Sequence, residues 1–213
     1  MEKKITALKV QKRDPNRVNV YLDGEFAFGL TKIVAAWLQV GQVLSSEKIS
    51  SLQSQETLEV AYLKALHYLS YRPRSESEVE SSLKEKGFDE GVIAYVLERL
   101  KQDRYLGDEQ FAQLWVENRS SFRPRSRRML RYELRQKGVS EENISNALDG
   151  AEEESSLAYQ AAARYASRLK DEEWDTFRKR LAAFLARRGF SYGTISPVVR
   201  TVWTELHAEE QET

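Results

Sequence analysis

Cysteine is absent from the chain. Its absence removes disulfide frameworks, thiolate zinc sites, iron–sulfur clusters and cysteine nucleophiles. Histidine is nearly absent: His67 and His207 stand far apart, without carboxylates at metal-ligand spacing, so no metal or other cofactor is expected. Glycine and proline are scarce, at 10 and 4 of 213 residues, which favours helix. No apolar run approaches the roughly 18–20 residues of a membrane span. The start, Met1-Glu2-Lys3-Lys4-Ile5-Thr6, lacks the apolar stretch of a signal peptide, so a cytoplasmic chain without membrane contact is expected. No G-x-x-x-x-G-K-[ST], H-E-x-x-H or G-x-S-x-G motif occurs, and no enzyme is expected. An excess of one charge is also missing: 33 Lys and Arg face 33 Asp and Glu. A zero sum argues against a nucleic-acid partner only if the charges are evenly spread.

What is present begins with strands. Ile5–Val10 alternates, Arg13-Asp14-Pro15-Asn16-Arg17 supplies turn residues, and Val18–Leu22 follows. Asp23-Gly24 is a two-residue hairpin signal, and Glu25–Leu30 completes a three-stranded meander. The segment 31–44 carries Ile33, Val34, Trp37 and Leu38 at helical spacing and predicts a short helix stopped by Gly41. From about residue 46 to 206 the pattern is helical. Ser46 is the candidate first cap, and Ile49, Leu52, Leu58, Val60, Ala61, Leu63, Leu66 and Leu69 are the apolar positions of the first long helix. The end, Glu205 to Thr213, is acidic and is expected to fray.

The helical part repeats with a period of 51: Gly87, Gly138 and Gly189 each follow a basic residue, Lys86, Lys137 or Arg188. Leu83, Leu134 and Leu185 precede the glycines by four, and Val79, Leu130 and Leu181 by eight. Ile93, Ile144 and Ile195 follow by six; Leu97, Leu148 and Val199 follow by ten; upstream, Ala61, Ala112 and Ala163 correspond. Arg-Pro-Arg-Ser occurs at 72–75 and again at 123–126. Ser75 with Glu78 reads as a capping box; Ser126 stands in the same place with Met129 instead of the glutamate. Asp89, Ser140 and Ser191 are the candidate caps of each unit's last helix. Each unit is therefore a long helix, a short helix, a glycine turn and a short helix. Such units bury little alone and are expected to stack. Pro197 breaks the pattern of the third unit and is expected in a first turn after Ser196.

The zero net charge conceals segregation. Residues 118–138 hold eight bases against Glu133, a net of +7, while 139–158 hold six acids and no base. Arg119, Arg123, Arg125, Arg127, Arg128, Arg131, Arg135 and Lys137 form the basic run, with Arg72 and Arg74 at the corresponding place in the first unit. On a helix from Ser126, Arg127, Arg128, Arg131 and Arg135 fall opposite Leu130 and Leu134. A further cluster is Arg178, Lys179, Arg180, Arg187 and Arg188. A net of +7 with one acid resists local neutralisation, so a basic face for a polyanion or an acidic protein is expected, with salt-sensitive binding. Trp37, Trp115, Trp174 and Trp203 read as core residues, Phe122 and Tyr132 as weak stacking candidates beside the arginines, and His207 as solvated.

In order and spacing these residues resemble the regulatory protein RecX family. The resemblance rests on Ala65–Ser75, Val79, Leu83, Lys86-Gly87, Tyr105–Ala112, Trp115-Val116, Arg119, Leu130, Glu133-Leu134 and Lys137-Gly138-Val139. The meander and Gly41–Leu44 look like the extension of longer members. One departure is Arg123-Pro124-Arg125, where members often have glycine-proline. The resemblance implies a mainly α fold: three tandem three-helix units in an elongated curved array behind a small N-terminal β-meander. It also implies binding to the RecA–DNA filament, inhibition of ATP hydrolysis and strand exchange, and no catalysis. The expected division is 1–45, 46–104, 105–151, 152–206 and an acidic tail 207–213. Single- or double-stranded DNA would meet the basic face, and the chain is expected to act as a monomer. The alternatives are a general DNA-binding protein of helix–turn–helix-like repeats and a helical protein–protein adaptor.

Overall fold

The computed structural model describes residues 2–208, so the tail beyond Ala208 lies outside the described residues. The fold is mostly helical, with ten helices among the described residues and one small sheet. Two compact units divide it. The first runs through Arg74 and resumes from Val79 to Leu106; the second joins Ser75–Glu78 to the chain from Gly107 onward.

The first unit opens with β1 (Lys3–Val10), β2 (Arg17–Leu22) and β3 (Glu25–Thr31), antiparallel as the alternation predicts. Asp23 and Gly24 both take positive φ, 51° and 92°, the geometry a tight two-residue hairpin requires. The helix expected over 31–44 is cut short. Helix α1 covers only Lys32–Ala35, and Val43–Leu44 forms β4, pairing with Lys4 and Lys3 in a sheet of order β3-β2-β1-β4. Backbone pairing decides this: Gly41 N–H donates to Ile5 O at 2.8 Å and Ile5 N–H to Gln42 O at 2.8 Å. Gly41, at φ 96°, turns the chain into the strand rather than capping a helix. Because the helix stops at Ala35, Trp37 is 88% exposed and is not a core residue. The sheet's inner face, Ile5, Val18, Val20, Leu22, Leu30 and Leu44, packs on Leu38 and Leu52.

Helix α2 (Ser46–Leu69) is capped one residue earlier than expected, by Ser45, whose hydroxyl accepts from the Lys48 N–H. Its buried side includes Glu56 and Glu59, while Leu63 is exposed. Both glutamates are buried because they have partners. Glu56 accepts from the Thr31 N–H at 2.6 Å and faces Arg17 at 2.9 Å; Glu59 accepts from Arg99 at 2.8 Å. Helices α3 (Glu76–Glu85) and α4 (Glu90–Gln102) follow, and Ala61, Tyr62, Ala65, Val79, Leu83, Ile93, Val96 and Leu100 form a separate core with Leu106.

The second unit holds two more repeats. Helices α5 (Asp108–Phe122), α6 (Arg127–Gln136) and α7 (Glu141–Asp149) close around Phe111, Ala112, Val116, Leu130, Leu134 and Ile144. Helices α8 (Glu154–Ala166), α9 (Trp174–Arg187) and α10 (Tyr192–Ala208) close around Leu157, Phe177, Leu181, Leu185, Ile195 and Val199. The short helices begin where the caps are read: hydroxyls or carboxylates of Ser75, Asp89, Ser126, Ser140 and Ser191 accept N–H groups three residues on. Ser75 and Glu78 form the reciprocal capping box. Each middle helix ends alike: Gly87, Gly138 and Gly189 are left-handed, and the next residue's N–H returns to Leu83, Leu134 or Leu185.

The third repeat departs in four ways. Ala163 is exposed and Ala162 is buried, so its first helix runs one residue out of the 51-residue register. Helix α9 starts early, which places buried Phe177 where Ser75 and Ser126 stand in the other units. Pro197 lies inside α10 rather than at its start. Its ring removes only the hydrogen bond to Gly193, in the first turn, and the helix continues. His207 is partly buried rather than fully solvated; it lies 3.6 Å from the Trp203 ring and 2.9 Å from the Trp203 carbonyl.

Candidate nucleic-acid interface

The basic run is largely engaged with acids. Glu133, on α6 and largely buried, takes two arginines: Arg119 Nε donates at 2.9 Å, and Arg125 closes on its other oxygen. Trp115 Nε1 donates to the same carboxylate at 2.8 Å, and the Arg119 guanidinium lies 4.5 Å over the Trp115 ring. Glu141, at the start of α7, takes Arg131 at 2.8 Å and Arg135 at 2.8 and 2.9 Å. Lys137 reaches Glu78 at 2.7 Å. Glu141 and Glu78 join Glu133, so three acids face the eight bases and the run is paired in part but not neutralised. Helix α6 turns Arg131 and Arg135 towards the first acid of α7, a short loop away, and the lone acid within the run serves two bases.

The remaining bases are held differently. Helix α6 starts with Arg127 and Arg128 and no acid in its first turn, the unfavourable sign for a helix N-terminus. Their forks reach carbonyls instead: Arg127 Nη2 donates to Ala151 O at 3.1 Å, and Arg128 Nη2 to Gly189 O at 3.3 Å. Arg123 ends α5 and is exposed. In the first unit Arg74 lies 4.0 Å over the Tyr68 ring, and Arg72 Nη1 donates to Pro73 O at 2.9 Å. The ten sequence-assigned residues thus fall in two places, Arg72 and Arg74 in the first unit and the others in the second.

Two residues escaped that assignment. Arg164, on α8, donates to Ser121 O at 2.8 Å, and Arg188, at the end of α9, donates to Pro124 O at 2.9 Å. Both brace the loop that carries Arg123 and Arg125. Arg188 is half-buried and lies 4.4 Å over Phe184; burial first, then the charges of Arg125, Arg123 and Arg164, pull it below the ordinary arginine range. The repeat could have pointed to Arg188, since it holds the basic position before the third glycine. Nothing local marks Arg164. In the third cluster Arg178 lies 3.7 Å from Asp175, Arg180 pairs with Glu172, and Arg188 reaches Pro124 O instead.

Phe122 and Tyr132, flanking the run, are 73% and 60% exposed. Trp115, Trp174 and Trp203 are partly buried against the cores of their repeats. Among the described residues, no helix is long and apolar enough to cross a membrane.

Comparison with known proteins covers nearly the whole chain. Four family models match: the regulatory protein RecX N-terminal domain at residues 3–45, and the first, second and third RecX three-helix domains at 61–100, 108–148 and 152–199. The chain is 34% identical to the regulatory protein RecX of Oceanobacillus iheyensis, over 95% of this chain and 78% of that one. It is 31% identical to that of Clostridium perfringens, over 97% and 99%, and 33% identical to that of Bacillus subtilis, over 97% and 84%. A crystal structure of regulatory protein RecX superposes with a TM-score of 0.70 at 28% identity, covering 92% of this chain and 98% of that one. The RecX structure from Lactobacillus salivarius shares the fold at a TM-score of 0.59 and 21% identity, covering 70% and 97%. From its N-terminal sheet through its third three-helix repeat, this chain belongs to the regulatory protein RecX family.

Proposed function

We propose that this chain modulates the RecA recombinase: it binds the RecA–DNA filament and limits ATP hydrolysis and strand exchange in recombinational repair, with no catalysis of its own. Family membership along nearly the whole chain carries the reading, since the named relatives are regulatory proteins. We assign the contacts to two places: Arg72 and Arg74 in the first unit, and Arg119, Arg123, Arg125, Arg127, Arg128, Arg131, Arg135 and Lys137 in the second. Their charge supports phosphate contacts that are strong at low salt and independent of sequence. Arg123, Arg127 and Arg128 have no acidic partner among the described residues, so a phosphate meets no carboxylate competitor there, only the carbonyls that hold Arg127 and Arg128. At Arg119, Arg125, Arg131 and Arg135 it must compete with Glu133 or Glu141.

Titration of the protein into a RecA ATPase assay with single-stranded DNA tests the function. The expected outcome is a saturating fall in rate; an unchanged rate at saturating protein removes the reading. Reversing Arg127, Arg128 and Arg131 together to Glu tests the surface. Inhibition should be abolished with the helical circular dichroism retained, and full inhibition by a folded triple variant overturns the assignment.

A further inference from the structure

We propose a discrete phosphate site for single-stranded nucleic acid at the α5–α6 loop, formed by Arg123, Arg125, Arg164 and Arg188 with Phe122 beside them. It deepens the preceding reading by naming a nucleic-acid partner and the residues that hold it, and it rests on that reading only for its place in a filament.

Three elements converge on one short loop. Arg123 leaves α5 out of the helical conformation (φ −145°, ψ 67°), which the following proline disfavours. Pro124 is buried and anchors the turn, while Arg123 and Arg125 stand on either side of it. Arg164 from α8 grips the loop at Ser121 O, and Arg188 from the end of α9 grips it at Pro124 O. Like charges gathered this closely cost free energy: Arg188 is pulled below the ordinary arginine range first by burial and then by the charges of Arg125, Arg123 and Arg164. At Arg119, Arg131, Arg135 and Lys137 a carboxylate relieves such crowding. Here Glu133 reaches Arg125 alone, and among the described residues Arg123, Arg164 and Arg188 have no acidic partner.

The chemistry selects the ligand. A guanidinium has five N–H donors, and Arg164 and Arg188 each commit one to a loop carbonyl, which fixes the forks. Held forks with uncompensated charge suit a phosphate oxygen edge. Phe122 selects the strand type. Its ring, 73% exposed and next to Arg123 in sequence, can stack on an unpaired base, which a duplex does not offer.

The test is fluorescence anisotropy on the full chain without recombinase, using a labelled oligothymidylate and a labelled duplex over a salt series. Arg123→Gln with Arg164→Gln should weaken oligothymidylate binding about tenfold or more and flatten the salt slope by about 0.7 per lost phosphate contact. Phe122→Leu should weaken single-strand binding about fivefold or more and spare the duplex. Lys48→Gln with Lys170→Gln removes as much charge from exposed positions elsewhere and should change neither. Thermal melts confirm that each variant is folded. Unchanged oligothymidylate affinity in a folded Arg123/Arg164 variant overturns the site, as does an equal loss in the lysine pair. Displacement of the oligonucleotide by millimolar inorganic phosphate at matched ionic strength would make this a free-anion site and overturn the nucleic-acid assignment. Loss of RecA inhibition with full oligothymidylate affinity would mean the arginines face an acidic protein, which also overturns it. A parent protein that binds oligothymidylate through these residues but leaves the ATPase unchanged removes the recombinase reading and leaves this site standing.

Discussion

Gly87, Gly138 and Gly189 share a left-handed backbone but differ in their surroundings. A Cβ at Gly87 would meet nothing within 4 Å. At Gly138 it would fall 2.5 Å from Ser77 Cβ, and at Gly189 2.5 Å from Ser126 Oγ and 3.0 Å from Met129 Cβ. Alanine at Gly87 should therefore cost about 1 kcal/mol from backbone strain alone. At Gly138 or Gly189 overpacking adds to it, for a total of about 2–4 kcal/mol. Urea midpoints at equal m-values measure the difference, and equal losses at all three positions would contradict the close approach. Tyr62 gives a second prediction. Burial, and then its hydrogen bond to Asp103 at 2.6 Å, push its phenol up to about 12 from 10. The folded state holds that proton more tightly than the unfolded state. The stabilisation is complete below pH 10 and is lost as pH rises through about 12. Tyr62→Phe should flatten that alkaline loss in a chemical-denaturation series from pH 9 to 12.

At the scale of the element, α6 is a short helix whose charges oppose its own dipole at the N-terminus. Its Ser126 cap and the carbonyls that hold Arg127 and Arg128 offset that, while Glu133 and Glu141 pair with the arginines around it. Glu133→Gln strands Arg119 and Arg125 near a largely buried amide and should cost about 2–3 kcal/mol. Glu141→Gln breaks an exposed pairing and should cost under about 1 kcal/mol. Both should tighten polyanion binding, because each releases arginines; weaker binding would mean the glutamates position those arginines for the ligand. Much of this element was legible in the sequence: its start at Ser126, its buried Leu130 and Leu134 and its glycine stop follow from side-chain period and cap chemistry. The pairings were not legible. Arg131 and Arg135 meet Glu141 only because the glycine turn brings α7 back, and Arg188 meets Pro124 from 64 residues away. The segment after β3 shows a different limit. Helical spacing over Ile33–Leu38 lost to strand pairing at Val43–Leu44, a tertiary outcome that local periodicity does not record.

On the scale of the whole molecule, the repeat sets which ends can join. The first turn of α3 meets the end of α6: Ser75 Oγ donates to Lys137 O at 2.6 Å, and Ser77 covers Gly138. One period later, Ser126 N–H donates to Arg188 O at 3.1 Å, and Ser126 covers Gly189. This is a tongue-and-groove joint, with the serines at the start of a middle helix as tongue and the basic residue and glycine as groove. At residue 177 the next tongue is replaced by Phe177, turned into its own core, and the groove at Gly87 faces open space. A head-to-tail joint of this type would, if both ends matched, propagate from chain to chain without closing. Here Gly87 meets open space and the buried Phe177 stands where the serine would be, so the two ends of the repeat do not match.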